Sequence, residues 1–302
     1  GFEVAYSNQA FEFWFLLHFN LYQGALHRSR YEKMLSTLLG FAYTKKSGVS
    51  SKMFNALFLK QEQAINHAKT IMKQFDGNNP AQQESSTTVY RLVEELNNFF
   101  QACDSFETKY GLIGKIQRIT IPVFFRLLYS SGMRTTEARL LRRENVCLED
   151  GIVNIRYSKG YNQHFVVLHD SMLELMKRYD VAISKLVPER IFFFPTSSNS
   201  GYNGAWVTRI FRKCWYKKNE AYATAYELRH HYAVKNINSW IGQGLTTHLK
   251  LLSLSKSMGH SNIESTKYYY SLVPCLYDII EDNTSETLNQ IIPKLHKNET
   301  DF

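Results

Sequence analysis

The sequence predicts a two-domain protein that is mainly α-helical and carries one small antiparallel sheet. Apolar residues recur at helical spacing through most of the chain, and clear strand alternation occurs only between residues 151 and 168. A polar, turn-rich stretch at 76–87 has the composition of a linker. A single core stops growing at about 250 residues, and this chain has 302. We therefore place a helical domain and linker at 1–87, a second domain at 88–275 and a C-terminal helical tail at 276–302.

The first domain is expected to consist of helices. An apolar run spans residues 11–19, and helical spacing of apolar residues continues over 31–39. Basic residues lie between these positions: His27, Arg28, Arg30, Lys33, Lys45 and Lys46. This pattern is expected of a helical module that binds a nucleic-acid duplex, and it is equally typical of a solvated helix face.

The second domain begins with two predicted helices. Helical spacing restarts over 89–99, and an apolar helix over 121–129 stops at the Ser-Ser-Gly turn that ends with Gly132. Thr135 and Thr136 are residue types that cap a following helix. A fixed, inward-pointing guanidinium could be built on Arg134 at this position.

A β-hairpin is predicted next. Its strands cover 151–157 and 164–168, and Lys159 lies in the six-residue turn between them. The remainder is predicted to be helical, including a tail around 279–295. That tail either packs on its own domain or docks on a neighbouring protomer.

Composition indicates a globular, basic chain. Lys and Arg number 36 against 27 Asp and Glu, which gives a net charge of +9 and favours a polyanionic partner. No run of 18 apolar residues appears, so we expect no membrane span. Residues 1–4 lack the plan of a signal peptide and do not begin with Met, so a further N-terminal module stays an open question.

The sequence predicts neither a metal nor a cofactor. The cysteines are widely scattered, as structural thiols in a reducing cytoplasm are: Cys103, Cys147, Cys214 and Cys275. The chain shows neither a P-loop nor clustered metal ligands. Any chemistry is therefore expected to depend on ordinary side chains.

Two arginines are candidates for binding an oxyanion. Arg134 follows the turn at Gly132, and Glu137 lies where it can brace that arginine. Further on, Tyr226, Arg229 and His230 share one helix face, so their side chains can converge on one phosphate. Arginine suits this task because its planar fork donates two charge-assisted hydrogen bonds. An isolated Gly-x-Arg is nevertheless most often a capping or surface arginine, and a core aromatic is an equal alternative for the tyrosine.

A Gly-His-Ser turn leads into a predicted helix that carries three tyrosines. The helix is expected to begin at about residue 262, just after His260. Helix phase places Tyr270 on the packing face and Tyr269 on a more polar face, where it can point at a substrate. Tyr268 is the least favoured of the three. A tyrosine has a pKa of about 10, so the phenol needs activation by surrounding cations.

Taken in order, these four blocks resemble the catalytic blocks of the tyrosine recombinases, the integrase family of phages and transposons. The blocks lie at 131–137, 158–160, 226–231 and 258–270, and the resemblance covers roughly residues 88–275. It implies the following catalytic residues: Arg134, Lys159, Tyr226, Arg229, His260 and Tyr269. It also implies two supporting residues. Glu137 would brace Arg134, and His230 directly follows Arg229. Tyr226 departs from the family, which normally has histidine at that position.

The resemblance implies a reaction and a set of partners. Tyr269 would attack a DNA phosphodiester and form a 3′-phosphotyrosyl bond, without ATP, metal or cofactor. The partners would be double-stranded DNA with inverted-repeat core sites, three further copies in a homotetramer, and accessory DNA-bending proteins. The sequence of residues 254–260 and the divergent Tyr226 resemble integrases of bacterial mobile elements more than chromosomal resolvases, which implies a cytoplasmic, nucleoid-associated protein. Two alternatives are a type IB topoisomerase-like enzyme and a non-catalytic DNA-binding protein, for which Tyr226 is the only hint.

Overall fold

Helices dominate the structure, and three short strands form its antiparallel sheet. The computed structural model describes residues 6–44, 50–75, 82–156, 163–238, 246–260 and 264–267. These elements confirm the predicted fold class, which is mainly α with a small antiparallel sheet. Within the described ranges no helix is both long enough and apolar enough to cross a membrane.

The described residues fall into two compact units. One contains the chain up to Ala102 together with Cys214–Ala221, and the other contains the chain from Cys103 to Lys213 and from Tyr222 onward. The proposed domain limits at 87/88 and 275/276 stay predictions. The tail after residue 275 lies outside the described residues.

The first unit is helical. Its helices are α1 Glu12–Leu16, α2 Tyr31–Leu39, α3 Ser50–Phe58, α4 Gln61–Met72 and most of α5 Val89–Asp104. Phe13, Leu35 and Ala68 are fully buried, each from a different helix. The apolar spacing seen in the sequence therefore marks the faces that turn inward and form this core.

The second unit is built around a long central helix. Its helices are α6 Leu112–Ser131, α7 Thr135–Arg139, α8 Asp170–Ser184, most of α9 Gly204–Trp215, α10 Glu227–Asn238, α11 Thr246–Ser257 and α12 Glu264–Lys267. Phe124 and Phe125 of α6 are fully buried. Phe124 meets Phe194 edge-on with ring centroids 5.4 Å apart, and Phe125 meets Phe211 at 6.0 Å. Helix α6 thus anchors the turn that follows it.

Helix α6 ends at a left-handed glycine. Gly132 has φ +65° and its N–H donates to the Leu128 carbonyl, which closes the helix C-terminus. Helix α7 then begins at Thr135, so the prediction that Thr135 and Thr136 precede and cap it was wrong. Arg134 occupies the N-cap position, and the capping carboxylate comes from Glu137 inside the helix.

The sheet contains the predicted hairpin and one strand that sequence reasoning missed. The strands are β1 Val146–Cys147, β2 Ile152–Ile155 and β3 His164–Val167, in that spatial order. Strand β2 is the middle strand, and its Val153 pairs with Val146 of β1 and with Val166 of β3. Strand β1 is only two residues long, which is too short for the alternation that identifies a strand in sequence.

Candidate active site

Arg134 is held by a carboxylate at the start of α7. Its Nη1 donates to Glu137 Oε1 at 2.7 Å, and its backbone N–H donates to Glu137 Oε2 at 2.8 Å. The Glu137 side chain is 1% exposed, whereas the Arg134 side chain is 22% exposed. The carboxylate therefore orients the guanidinium, and the Arg134 side chain stays partly exposed to solvent.

Arg134 also reaches across the fold to a distant turn. Its Nη2 donates to the Gly259 carbonyl at 2.8 Å, although the two residues are 125 positions apart in sequence. Gly259 has φ +62°, a left-handed conformation that favours glycine. The Gly-His turn is thus joined directly to the first arginine block.

Arg229 is buried and ties three segments together. The residue is 2% exposed. Its Nη1 donates to the Gly132 carbonyl at 2.5 Å, and its Nη2 donates to the Met258 carbonyl at 2.8 Å. These contacts bring the end of α6 and the start of the Gly-His turn to the first residues of α10. A charged group placed this deep is tolerated because it is hydrogen-bonded.

His260 lies against Arg229 and α12. Its Nε2 is 2.9 Å from Arg229 Nη2, and its Nδ1 is 2.6 Å from Thr266 Oγ1. Burial lowers the pKa of His260 to about 4, and the charges of Arg229 and Arg134 add to this. The imidazole is therefore neutral at neutral pH, while the two guanidinium groups beside it stay charged.

His164 belongs to this cluster, although sequence reasoning assigned it no role. It is 8% exposed, and its Nε2 lies 4.0 Å from Glu137 Oε2. A Cβ built on Gly259 would lie 2.5 Å from His164 Cε1, so the ring packs directly on that turn. The available signal was strand alternation, since His164 starts β3 and points inward while Phe165 is 62% exposed.

Thr266 is a second residue that the sequence did not single out. It is fully buried on α12 and contacts His260. Its partner, His260, is six residues away in the sequence, a spacing that helix periodicity does not pair.

The arrangement has the chemistry of an oxyanion site. The guanidinium groups of Arg134 and Arg229 both donate to backbone carbonyls of the turn at 258–260. The neutral imidazole of His260, which belongs to that turn, contacts Arg229. A single carboxylate, Glu137, offsets part of that charge. Cationic donors fixed in this way stabilise negative charge that develops on a phosphate in a transition state.

Comparison with known families agrees with this geometry. Residues 92–274 match the model of the phage integrase family, which is more than half of the chain. This chain belongs to the phage integrase family. The match confirms the resemblance to tyrosine recombinases that the sequence blocks indicated. A second model, described as RloB-like protein, matches residues 1–96, less than half of the chain.

Individual relatives of this phage integrase family member are distant. Tyrosine recombinase XerC of Neisseria gonorrhoeae is 26% identical over 159 residues, which are 51% of this chain and 49% of the relative. TnP I resolvase of Bacillus thuringiensis is 28% identical over 145 residues, which are 47% of this chain and 46% of the relative. The chain therefore spans about half the length of these curated relatives. The crystal structure of XerA recombinase covers 84% of this chain and is itself covered to 81%, with 18% identity and a TM-score of 0.48.

Tyr226 is exposed at the start of α10. The residue is 45% exposed, which contradicts the alternative that it is a core aromatic. Its carbonyl accepts a hydrogen bond from the Arg229 N–H at 3.0 Å, so it lies one turn before that arginine. Its ring meets the His230 ring edge-on at 4.7 Å. Burial lowers the pKa of His230, and Arg229 adds to this while Glu227 opposes it.

The other predicted site residues of this integrase family member lie outside the described residues. They are Lys159, Tyr268, Tyr269 and Tyr270. Their roles stay predictions. In the part of the chain that the structure does describe, no group of three or more His, Cys, Asp or Glu side chains is placed to hold a metal ion.

Proposed function

We propose that this chain is a site-specific DNA recombinase that cuts and rejoins DNA through a 3′-phosphotyrosine on Tyr269. The observation that carries the proposal is the convergence of Arg134, Arg229 and His260 on one turn. Together with Tyr226, these three are the described members of the catalytic set that the family resemblance implies. Family membership supports the same conclusion.

The proposed reaction needs no external energy source. The Tyr269 oxygen attacks the phosphorus, an O–P bond forms, and the bond from phosphorus to the 5′ oxygen breaks. The phenol gives its proton to a basic group of the site, and the departing 5′ oxygen takes a proton from Lys159, which we assign as the donor. Attack by the 5′ hydroxyl of another strand reverses the step and completes the exchange.

The two arginines are proposed to play different parts. Arg134 is partly exposed and pre-oriented by Glu137, so it can meet the non-bridging phosphate oxygens. Arg229 is buried and spans Gly132 and Met258, so it fixes the turn that presents His260. Tyr226 and His230 lie beside Arg229 and are proposed to complete the phosphate-binding side, with a hydroxyl in place of the usual imidazole.

We propose double-stranded DNA with inverted-repeat core sites as the substrate. The net charge of +9 supports a polyanionic partner. Residues 1–87 would clamp one face of the duplex and 88–275 the other, in a homotetramer assisted by DNA-bending proteins. The tail at 276–302 would pack in cis or in trans. This chain would act on a bacterial mobile element in the nucleoid.

Strand exchange tests the proposal against its alternatives. Two duplexes carrying candidate inverted-repeat sites, taken from the DNA on either side of the coding sequence, are incubated with protein in EDTA and without ATP, and products are resolved on gels. We expect exchange that requires two sites and is lost in Tyr269→Phe. Relaxation of any supercoiled plasmid would instead indicate a type IB topoisomerase-like enzyme. Tight, specific binding without either reaction would indicate a non-catalytic DNA-binding protein.

A further inference from the structure

The two ring nitrogens of His260 have different neighbours. Nε2 lies 2.9 Å from Arg229 Nη2, and Nδ1 lies 2.6 Å from Thr266 Oγ1. A guanidinium can only donate hydrogen bonds, whereas a hydroxyl can donate or accept. The two contacts therefore constrain the position of the imidazole proton.

The proton belongs on Nδ1. Because Arg229 Nη2 must donate, Nε2 must offer its lone pair and cannot carry a hydrogen. A neutral imidazole has one N–H, so Nδ1 carries it and donates to the Thr266 hydroxyl oxygen. A protonated ring would turn a second donor toward the guanidinium. The lowered pKa of His260, about 4, agrees with a neutral ring.

Thr266 is well placed to fix this state. It is fully buried on α12, so the surrounding core restricts its side chain. It precedes Tyr269 by three residues in the sequence. Thr266 thereby connects His260 to the segment that leads to the proposed nucleophile.

We propose that Thr266 is a positioning residue that holds His260 as the Nδ1–H tautomer, with the Nε2 lone pair turned toward Arg229. The catalytic consequence rests on the proposed function. An Nε2 lone pair can accept a proton but cannot donate one to a phosphate oxygen. In the proposed cleavage step, the O–H bond of the phenol would break and an N–H bond would form at Nε2 once phosphate binding draws Arg229 Nη2 away from Nε2, while Arg229 Nη1 keeps its hydrogen bond to the Gly132 carbonyl.

The tautomer is measured directly by NMR of the DNA-free, full-length protein with ¹⁵N-labelled histidine. Nitrogen shifts distinguish a protonated from an unprotonated ring nitrogen, and His260→Gln identifies the signal. We expect Nδ1–H in the wild type and in Thr266→Ser. Thr266→Val and Thr266→Ala remove the acceptor of that buried N–H, so the preference that Arg229 alone imposes should weaken and the ring should show Nε2–H or a mixture of the two tautomers. An Nε2–H ring in the wild type, or an unchanged Nδ1–H ring in both Val and Ala variants, would overturn the proposal.

A matched control separates positioning from packing. Thr120 is also fully buried in the second unit, and its Oγ1 lies 3.1 Å from the Tyr179 hydroxyl, away from the site. Thr120→Val should leave the His260 signal and the cleavage rate unchanged. A changed His260 signal in this control would count against a specific role for Thr266.

Activity supplies a second measurement. Single-turnover formation of the covalent DNA adduct should slow by about tenfold in Thr266→Val, roughly the effect of one lost hydrogen bond, with DNA affinity unchanged and the rate restored in Thr266→Ser. An unchanged rate would overturn the catalytic part. If the wild type forms no adduct, the proposed function fails, and the NMR result still decides whether Thr266 fixes the tautomer.

Discussion

The Arg134 side chain is partly exposed to solvent, and its orientation is fixed by Glu137. Glu137 binds the guanidinium and the backbone of the same arginine, so the side chain is oriented before any substrate arrives. Lysine would keep the charge but lose the planar fork that makes the paired contacts. The geometry of the donors, beyond their charge, is therefore expected to set the rate of cleavage.

Arg134→Lys tests this point. Cleavage should fall by about 10²–10³-fold, the usual cost of removing one preorganised donor from an oxyanion site. DNA affinity should stay close to that of the wild type because the positive charge remains. Single-turnover cleavage and a binding titration at fixed salt measure the two quantities. Wild-type cleavage by the lysine variant would remove Arg134 from the reaction.

Tyr226→His tests the position at which this chain departs from its family. Because Tyr226 is 45% exposed, the change should leave the free energy of unfolding nearly unchanged. Imidazole can carry positive charge and tyrosine cannot, so cleavage should be retained or raised. Cleavage rates across pH 6 to 8 provide the measurement, with Tyr226→Phe as the control that lacks a polar group. A folded but inactive histidine variant would exclude Tyr226 from the phosphate-binding side.

At the scale of elements, the closing turn of α6 depends on a close approach of two helices. A Cβ on Gly132 would overlap the ring of Tyr232 from α10. Gly40 closes α2 in the same left-handed conformation, with φ +73° against +65°, and a Cβ there meets nothing within 4 Å. An alanine at Gly40 would therefore suffer backbone strain alone, whereas an alanine at Gly132 would suffer the same strain and also overlap Tyr232.

Gly132→Ala should destabilise the fold more than Gly40→Ala. The Gly40 variant pays only the left-handed backbone cost of about 1–2 kcal/mol, and the Gly132 variant adds overpacking of about 1–3 kcal/mol. Urea denaturation followed by helical circular dichroism gives both free energies of unfolding. Gly132→Ala should also slow cleavage, since the Gly132 carbonyl binds Arg229. An equal decrease in the free energy of unfolding in the two variants would show that the overlap with Tyr232 does not destabilise the fold.

Helix α10 carries a titratable group that links stability to pH. Burial lowers the pKa of His231 to about 4, and Lys235 adds to this. The unfolded chain, with an ordinary histidine pKa near 6.5, then binds the proton more readily than the folded chain. The stabilisation is fully present above pH 6.5 and is lost as the pH falls toward 4.

His231→Phe should reduce this loss by an amount on the order of 2 kcal/mol between pH 6.5 and 4. Phenylalanine can keep the stacking that His231 makes with Tyr129, whose ring centroid lies 4.9 Å away. Some pH dependence should remain, because His260 has a similarly lowered pKa. Urea denaturation across this range measures the effect. A variant with the same pH profile as the wild type would contradict the burial of a neutral His231.

Periodicity predicted the longer elements and missed the shortest one. The predicted helix at 121–129 is the apolar half of α6, which begins at Leu112 because its first turns are amphipathic and give a weaker signal. The predicted hairpin is present as β2 and β3, but β1 has too few residues to show alternation. The start of α7 differed because Glu137 supplies the cap that was expected from threonine.

For the molecule as a whole, the order of the motifs indicated which distant residues come together, while their catalytic roles stay predictions. Arg134, Arg229 and His260 meet as that order implies, and the family match supports the same reading. Thr266 could not be predicted, because it gains its place only from contacts that folding creates. For His164, strand alternation indicates an inward-facing side chain, but the residues that it packs on are set by the fold. A buried histidine or threonine has no sequence signature of its own.

The most direct test of the central claim is to identify the residue that becomes bonded to DNA. Nicked suicide duplexes carrying candidate inverted-repeat sites from the DNA on either side of the coding sequence are incubated with the chain in EDTA. Adducts are isolated on a denaturing gel, and the linked peptide is sequenced by mass spectrometry. We expect a DNA adduct on Tyr269 that is absent in Tyr269→Phe and strongly reduced in Arg134→Lys. An adduct on Tyr268 or Tyr270, or no adduct despite tight and specific binding, would contradict it.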